Sequence, residues 1–113
     1  YENTAKRGGL SEADVEKRMN LITGAVGLEA AKDADMVIEA VFEEMGLKKE
    51  IFGKLDKITR KGAILATNTS SIPITRLAQA APDAARFIGV HFFNPVPVMG
   101  LVELIRGLAT SDE

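Results

Sequence analysis

The stretch GVHFFNPVPVMGLVELIRG, residues 89 to 107, holds the single histidine of the chain, His91, followed by Asn94 and then by Glu103 inside an apolar run. An imidazole and a carboxylate set among hydrophobic residues suit general acid/base work: the carboxylate can hold one ring nitrogen while the other exchanges a proton. A satisfied core histidine and an outward-facing, salt-bridged glutamate are the structural alternatives. Within LVELI, a glutamate on a covered face needs a partner, because an unpaired buried charge is costly. Two other polar groups stand beside apolar runs: Glu43 after MVIEAVF, and Asn68, Thr69, Ser70 and Ser71 after AILAT.

These groups can meet only if the elements between them bring them to one rim. Ser11 with Asp14 resembles a capping box and Leu10 with Val15 a hydrophobic staple, so a helix starts at Glu12, with Val15, Met19 and Ile22 on its apolar face. Residues 1 to 9 carry little periodicity, and Gly24 and Gly27 close the helical segment. The run DADMVIEAVFEE has a nearly continuous apolar centre interrupted by Glu39, which reads as a strand covered on both sides. Leu47, Ile51, Leu55 and Ile58 form a helical stripe opposite a wetter face of Lys48, Lys49, Lys54 and Lys57, with Gly53 an interior weakness of roughly 1 kcal/mol. Lys61-Gly62 marks a turn into a second strand, residues 63 to 67, and Pro73 suits the first turn of a short helix. After the break at 81 to 83, Arg86 to Val90 reads as a third strand ending at His91, and Leu101 to Ile105 as a fourth.

Strand, helix, strand, helix, strand predicts an α/β fold: a parallel sheet with crossover helices. Ligands of open α/β sheets sit beyond the C-terminal ends of the strands, where Glu43, the Asn68–Ser71 loop and His91 would all emerge. Ordinary capping and turn roles are the alternative for the same polar loops.

The 113 residues, 46% of them hydrophobic, are enough for one small domain with a real core. The charge of −2, from 14 Lys and Arg against 16 Asp and Glu, comes without a dense basic run and argues against nucleic acid as a partner. Apolar runs are too short to span a membrane, and no charged leader with a hydrophobic region and cleavage site precedes them. A soluble, cytoplasmic protein is the expectation. No cysteine is present, and one histidine with scattered carboxylates is no metal-ligand set, so no metal is expected.

Taken together, VIEAVFEE at 37–44, NTSS at 68–71, HFFNPVPVM at 91–99 and LVELI at 101–105 resemble, in order and spacing, the nucleotide-binding domain of the L-3-hydroxyacyl-CoA dehydrogenases. The resemblance runs from about Leu10 to the C-terminus, and IPIT after NTSS with the ending IRGLATSDE looks more like the dehydrogenase segment of a bacterial multifunctional fatty-acid-oxidation protein. It implies a partial Rossmann-like sheet and reversible oxidation of an L-3-hydroxyacyl-CoA to the 3-ketoacyl-CoA, with hydride transfer to NAD in β-oxidation. It also implies that His91 is the general acid/base, oriented by Glu103, and that Ser70 lies near the reacting oxygen. By the same resemblance Asn94 helps fix the histidine and cofactor region, Glu43 lies on the cofactor's ribose side, Lys48 near cofactor and substrate phosphates, and Asn68 near the nicotinamide ribose. An ordinary turn residue before Pro95 is the lesser alternative for Asn94, and a solvated face the lesser alternative for Lys48. The parent is expected to be a homo-oligomer or part of a fatty-acid-oxidation complex.

One departure is plain: no GxGxxG occurs in the chain. The first βαβ unit, with its pyrophosphate-binding helix N-terminus and ribose-binding acid, is expected upstream of Tyr1, and the helical domain that completes the acyl-CoA cleft is expected after the C-terminus. On this reading residues 1–113 are an incomplete nucleotide-binding domain, inactive alone and exposed at its sheet edges. The alternatives are a dehydrogenase for short 3-hydroxyacyl-CoAs such as 3-hydroxybutyryl-CoA or for another hydroxy acid, and a noncatalytic structural or binding module.

Overall fold

A computed structural model describes residues 2–81 and 83–112. Its elements in chain order are α1 (Glu2–Lys6), α2 (Glu12–Met19), a 3₁₀ turn (Leu28–Ala31), β1 (Met36–Glu39), α3 (Met45–Ile58), β2 (Ile64–Thr67), α4 (Ile74–Ala78), a second 3₁₀ turn (Ala84–Arg86), β3 (Phe87–Phe92) and β4 (Val102–Arg106). The four strands lie in one sheet in the order β1-β2-β3-β4. The partial Rossmann-like arrangement expected from the alternation of strands and helices is present, with β1, β2 and β3 parallel.

The fourth strand, whose direction the sequence left open, runs antiparallel to β3, so the sheet is mostly parallel with one antiparallel edge. Its connection, residues 93–101, contains no helix, and a parallel return needs a dozen or more residues. A short link can only turn the chain back alongside the strand it left.

Local sequence explains the main helices. Ser11 caps α2, its Oγ accepting from the Asp14 N–H at 3.1 Å, as the capping pattern predicts. Glu44 caps α3, its carboxylate accepting from Gly46 N at 2.9 Å and Leu47 N at 3.0 Å. Gly62 turns the chain into β2 at φ +88°, a conformation that favours glycine. The helical α1 was not foreseen, because ENTAK carries no apolar period.

The core lies between the sheet and the helices α3 and α4. Phe52 and Leu55 of α3, Leu65 of β2, Leu77 of α4 and Phe87 of β3 are buried together, and Phe52 meets Phe87 edge-on with ring centroids 4.5 Å apart. Each such side chain contributes roughly 1.5–3 kcal/mol through its burial. Arg86 ties the end of α3 to the start of β2, donating to Asp56 Oδ1 at 2.6 Å and to the Ala63 carbonyl at 2.9 Å.

The opposite sheet face is open: Met36, Ile38 and Ile64 remain 40%, 45% and 42% exposed. The strand expected to be covered on both sides is thus covered on one, and it ends at Glu39, leaving Phe42 in an exposed loop. Likewise no residue of α2 is buried, so its apolar face of Val15 and Met19 lacks a core to join.

Candidate active site

Two polar clusters occupy the C-terminal rim of the parallel strands. The first is built by the β3–β4 pairing, which sets His91 directly opposite Glu103. Facing residues on adjacent strands hold their side chains within contact distance, and His91 Nδ1 lies 2.9 Å from Glu103 Oε2. A carboxylate at that position accepts from Nδ1–H and leaves Nε2 as the nitrogen that can serve a substrate.

Gly89, two residues before His91, lets α4 approach on the same side of the sheet. A Cβ there would stand 2.7 Å from Ile74 Cδ1 and 3.1 Å from Ile105 Cβ. Ile74 packs into that space and brings the NTSS loop, just before α4, up against the histidine. The result is a cavity of about 180 Å³ whose lining includes Ser70, Ser71, Ile74, His91 and Glu103. His91 is 23% exposed and Glu103 51%, so the pair is open at the cavity mouth. The Phe93 ring packs beside the imidazole, centroids 4.8 Å apart, and limits its rotation.

The second cluster joins the ends of β1 and β2. Glu39 accepts from Lys48 Nζ at 2.9 Å and 3.0 Å through its two oxygens, and from Thr67 Oγ1 at 2.7 Å. Glu43, exposed at the rim, accepts from the Thr69 hydroxyl and, at 3.4 Å, from the Ser71 hydroxyl. The Thr69 hydrogen bond is the main reason its carboxyl titrates below the ordinary 4.5; partial burial opposes this, while Lys48 and Ser71 add to it.

The fold therefore brings His91, Glu103 and Ser70 together at one cavity, and Glu43, Lys48 and Asn68 together beside it. Asn94 lies apart from the residues lining that cavity, exposed in the loop after β3. Lys48 departs most from expectation. It is fully buried against Glu39 rather than on the wet face of α3, because its helical position faces the strand ends and a carboxylate waits there. Asn68 is held by its backbone: its N–H donates to the Glu39 carbonyl at 2.8 Å, and its own carbonyl faces Lys48 Nζ at 3.5 Å.

Two residues of this rim escaped sequence reasoning. Glu39 was visible only as a charge interrupting an apolar run, with no sign of its partner. Thr69 was named in the polar loop but given no role of its own, although its hydroxyl links Glu43 to the loop and also accepts from Ile72 N at 3.0 Å. A threonine preceding a helix by a few residues is a recognisable turn signal.

Comparison with known proteins places these features in context. The family profile described as 3-hydroxyacyl-CoA dehydrogenase, NAD binding domain, matches residues 1–113. A probable 3-hydroxybutyryl-CoA dehydrogenase of Bacillus subtilis is 51% identical over 109 residues, 96% of this chain and 38% of that protein. The crystal structure of (S)-3-hydroxybutyryl-CoA dehydrogenase from Ralstonia eutropha superposes with a TM-score of 0.93 at 50% identity, over 98% of this chain and 39% of that one. A peroxisomal fatty acid beta-oxidation multifunctional protein of rice is 42% identical over 112 residues, 99% of this chain but 15% of that protein. The chain thus spans under two fifths of the length of its bacterial relatives. Among the described residues no helix is long and apolar enough to cross a membrane.

Proposed function

The chain belongs to the 3-hydroxyacyl-CoA dehydrogenase NAD-binding domain family, and from that premise we propose that its parent interconverts a short L-3-hydroxyacyl-CoA, such as 3-hydroxybutyryl-CoA, and the corresponding 3-ketoacyl-CoA. The observation that carries the reading is the cross-strand pair of His91 and Glu103 beside Ser70. Relatives named for 3-hydroxybutyryl-CoA, at 44% to 51% identity, favour the short substrate. The multifunctional fatty-acid-oxidation protein expected from the sequence is the second reading, supported by plant relatives at 38% to 42% identity.

In the oxidising direction His91 Nε2 takes the proton of the substrate's 3-hydroxyl; in reduction it returns a proton to the keto oxygen. Glu103, accepting from Nδ1–H, keeps Nε2 unprotonated in the neutral ring and stabilises the imidazolium once the proton has moved. The Ser70 hydroxyl, at the same cavity, donates to the reacting oxygen as charge develops on it. NAD, when bound, supplies the hydride acceptor and its reduced form the donor.

The rim suits the nicotinamide-ribose end of that cofactor. Glu43, its side chain 40% exposed, offers carboxylate oxygens to ribose hydroxyls, and the Asn68 segment lies next to it. Lys48, buried against Glu39 with its Nζ 3.9 Å from Glu43 Oε2, is assigned to the same cofactor rim. No GxGxxG occurs among the 113 residues, so we assign the pyrophosphate cradle, the first βαβ unit and the helical domain to parts of the parent outside this chain, and regard the chain alone as inactive. Asn94 is assigned a supporting role in shaping the loop after His91.

The test is NADH-dependent reduction of acetoacetyl-CoA and of a long-chain 3-ketoacyl-CoA by the full-length parent, its His91→Ala form and the isolated chain. Preference for acetoacetyl-CoA, abolished in His91→Ala and absent from the isolated chain, supports the proposal. Preference for the long chain favours the multifunctional reading, and full activity in His91→Ala overturns the assignment of the base.

A further inference from the structure

Ile74, the first residue of α4, is buried, and its side chain forks at Cβ. One arm fills the space that a Cβ on Gly89 would take, with Cδ1 2.7 Å and Cγ1 3.0 Å from that position. The other arm, Cγ2, stands 3.4 Å from the Cβ that Gly107 lacks. Gly89 lies in β3 and Gly107 directly follows β4, so both gaps belong to the hairpin that carries His91 and Glu103. Ile105 of β4 closes the first gap from the other side, its Cβ 3.1 Å from the same Gly89 position.

A hydrogen bond fastens the same helical turn, the Leu108 N–H donating to Thr75 Oγ1 at 3.1 Å. The segment it comes from is itself fixed to β3: the Gly107 N–H donates to Thr110 Oγ1 at 2.8 Å, and that hydroxyl donates to the Phe87 carbonyl at 2.7 Å. On its other side α4 is joined to NTSS by a stiff link. Thr69 Oγ1 accepts from the Ile72 N–H at 3.0 Å, and the ring of Pro73 holds φ at −61°. Among the described residues the Ser70 hydroxyl has no hydrogen-bond partner, so the backbone on either side of it decides where it stands.

A β-branched side chain in a helix is held in one strongly preferred χ1 rotamer. Isoleucine is thus a rigid key for two gaps, whereas leucine, its isomer, is unbranched at Cβ and cannot fill both. We propose that Ile74 is a positioning residue: its two arms, seated over Gly89 and Gly107, lock the NTSS loop to the β3–β4 hairpin and so hold the Ser70 hydroxyl on the oxygen that His91 serves. Its effect on turnover is exerted through Ser70. The inference rests on the acid/base reading given above.

The test uses the full-length parent with acetoacetyl-CoA and NADH, followed by steady-state kinetics and thermal unfolding. Ile74→Leu keeps the volume and loses the fork, and is expected to lower kcat about tenfold with both KM values within about twofold, because small misplacements of a reacting group are costly. Ile74→Val keeps the fork and loses only Cδ1, so kcat should stay within about threefold. In a Ser70→Ala background Ile74→Leu should change kcat by less than about twofold further, since the two changes remove one contribution. Gly89→Ala should lower kcat at least about tenfold by pressing on Ile74 Cδ1, and adding Ile74→Val should recover about fivefold of that loss. This second pair decides the matter if the leucine form does not fold.

A leucine form with native kcat overturns the proposal. So does a loss of equal size with and without Ser70, or one that tracks a fall in melting temperature in the leucine and valine forms alike, since either makes Ile74 an ordinary core residue. Full activity in the His91→Ala parent is a separate result: it removes the acid/base reading, and this inference with it.

Discussion

Two pairs of a basic side chain and a glutamate sit on one rim in opposite environments. Lys48 and Glu39 have 0% and 1% of their side-chain surface exposed and no unused partner, whereas His91 and Glu103 have 23% and 51% and face a cavity. A closed pair resists change and so holds position; an open one keeps a nitrogen available for exchange with a substrate. Burial, more than residue type, divides the structural pair from the chemical one.

The sharpest test of that division is to remove one member of each pair. His91→Ala in the parent is expected to lower kcat/KM by about 10²–10⁴-fold while leaving the melting temperature nearly unchanged, measured by steady-state kinetics and thermal unfolding. Lys48→Ala should do the reverse in stability, costing about 3–5 kcal/mol in denaturant unfolding because Glu39 is left charged and enclosed. The corresponding loss for Glu103→Ala is under about 1 kcal/mol, since water takes the place of the carboxylate beside His91. Equal stability losses at Lys48 and Glu103 would break the comparison.

Glu103→Gln tests whether the open pair works through orientation. Activity should fall by about tenfold to a hundredfold with the fold intact, as for other groups that aim a catalytic imidazole. Unchanged turnover would reduce Glu103 to a surface contact.

Glu43 sits between the two cases and gives the smallest effect. Its carboxyl titrates below 4.5, chiefly because Thr69 donates to it. A group with a depressed folded value contributes stability that is full above its unfolded value and disappears as pH falls through the folded one. Thr69→Val should raise the Glu43 value toward 4.5, followed by NMR titration, and shrink that contribution, so that its loss on acidification is completed at higher pH. An unmoved titration would assign the shift to Lys48 instead and so draw Glu43 closer to the buried pair.

Much of the frame was legible in one dimension. The stripe Leu47, Ile51, Leu55 and Ile58 predicted α3, the Ser11–Asp14 box predicted the start of α2, and the apolar runs predicted all four strands. The proximity of His91, Ser70 and Glu103 followed from strand-end logic together with the family resemblance. By its spacing Lys48 is one lysine among four on a wet face, and only the family resemblance sets it apart, because periodicity reports which positions share a face and is silent on whether a carboxylate lies opposite. Met19, Met36 and Ile38 carried the pattern of covered residues yet remain open in this chain. An apolar stripe specifies a demand for burial without supplying the surface that meets it.

What the sequence determined by itself is the set of local decisions: hydrophobic period, caps, turn glycines and the chemical types available at each strand end. These depend on residues a few positions apart. Only the tertiary structure decided the antiparallel return of β4, the facing of His91 and Glu103 across two strands, and the burial of Lys48 between Glu39 and Asn68. Those outcomes depend on which distant residues come within hydrogen-bond distance and on how much water remains beside them, and such quantities exist only once the chain has closed on itself.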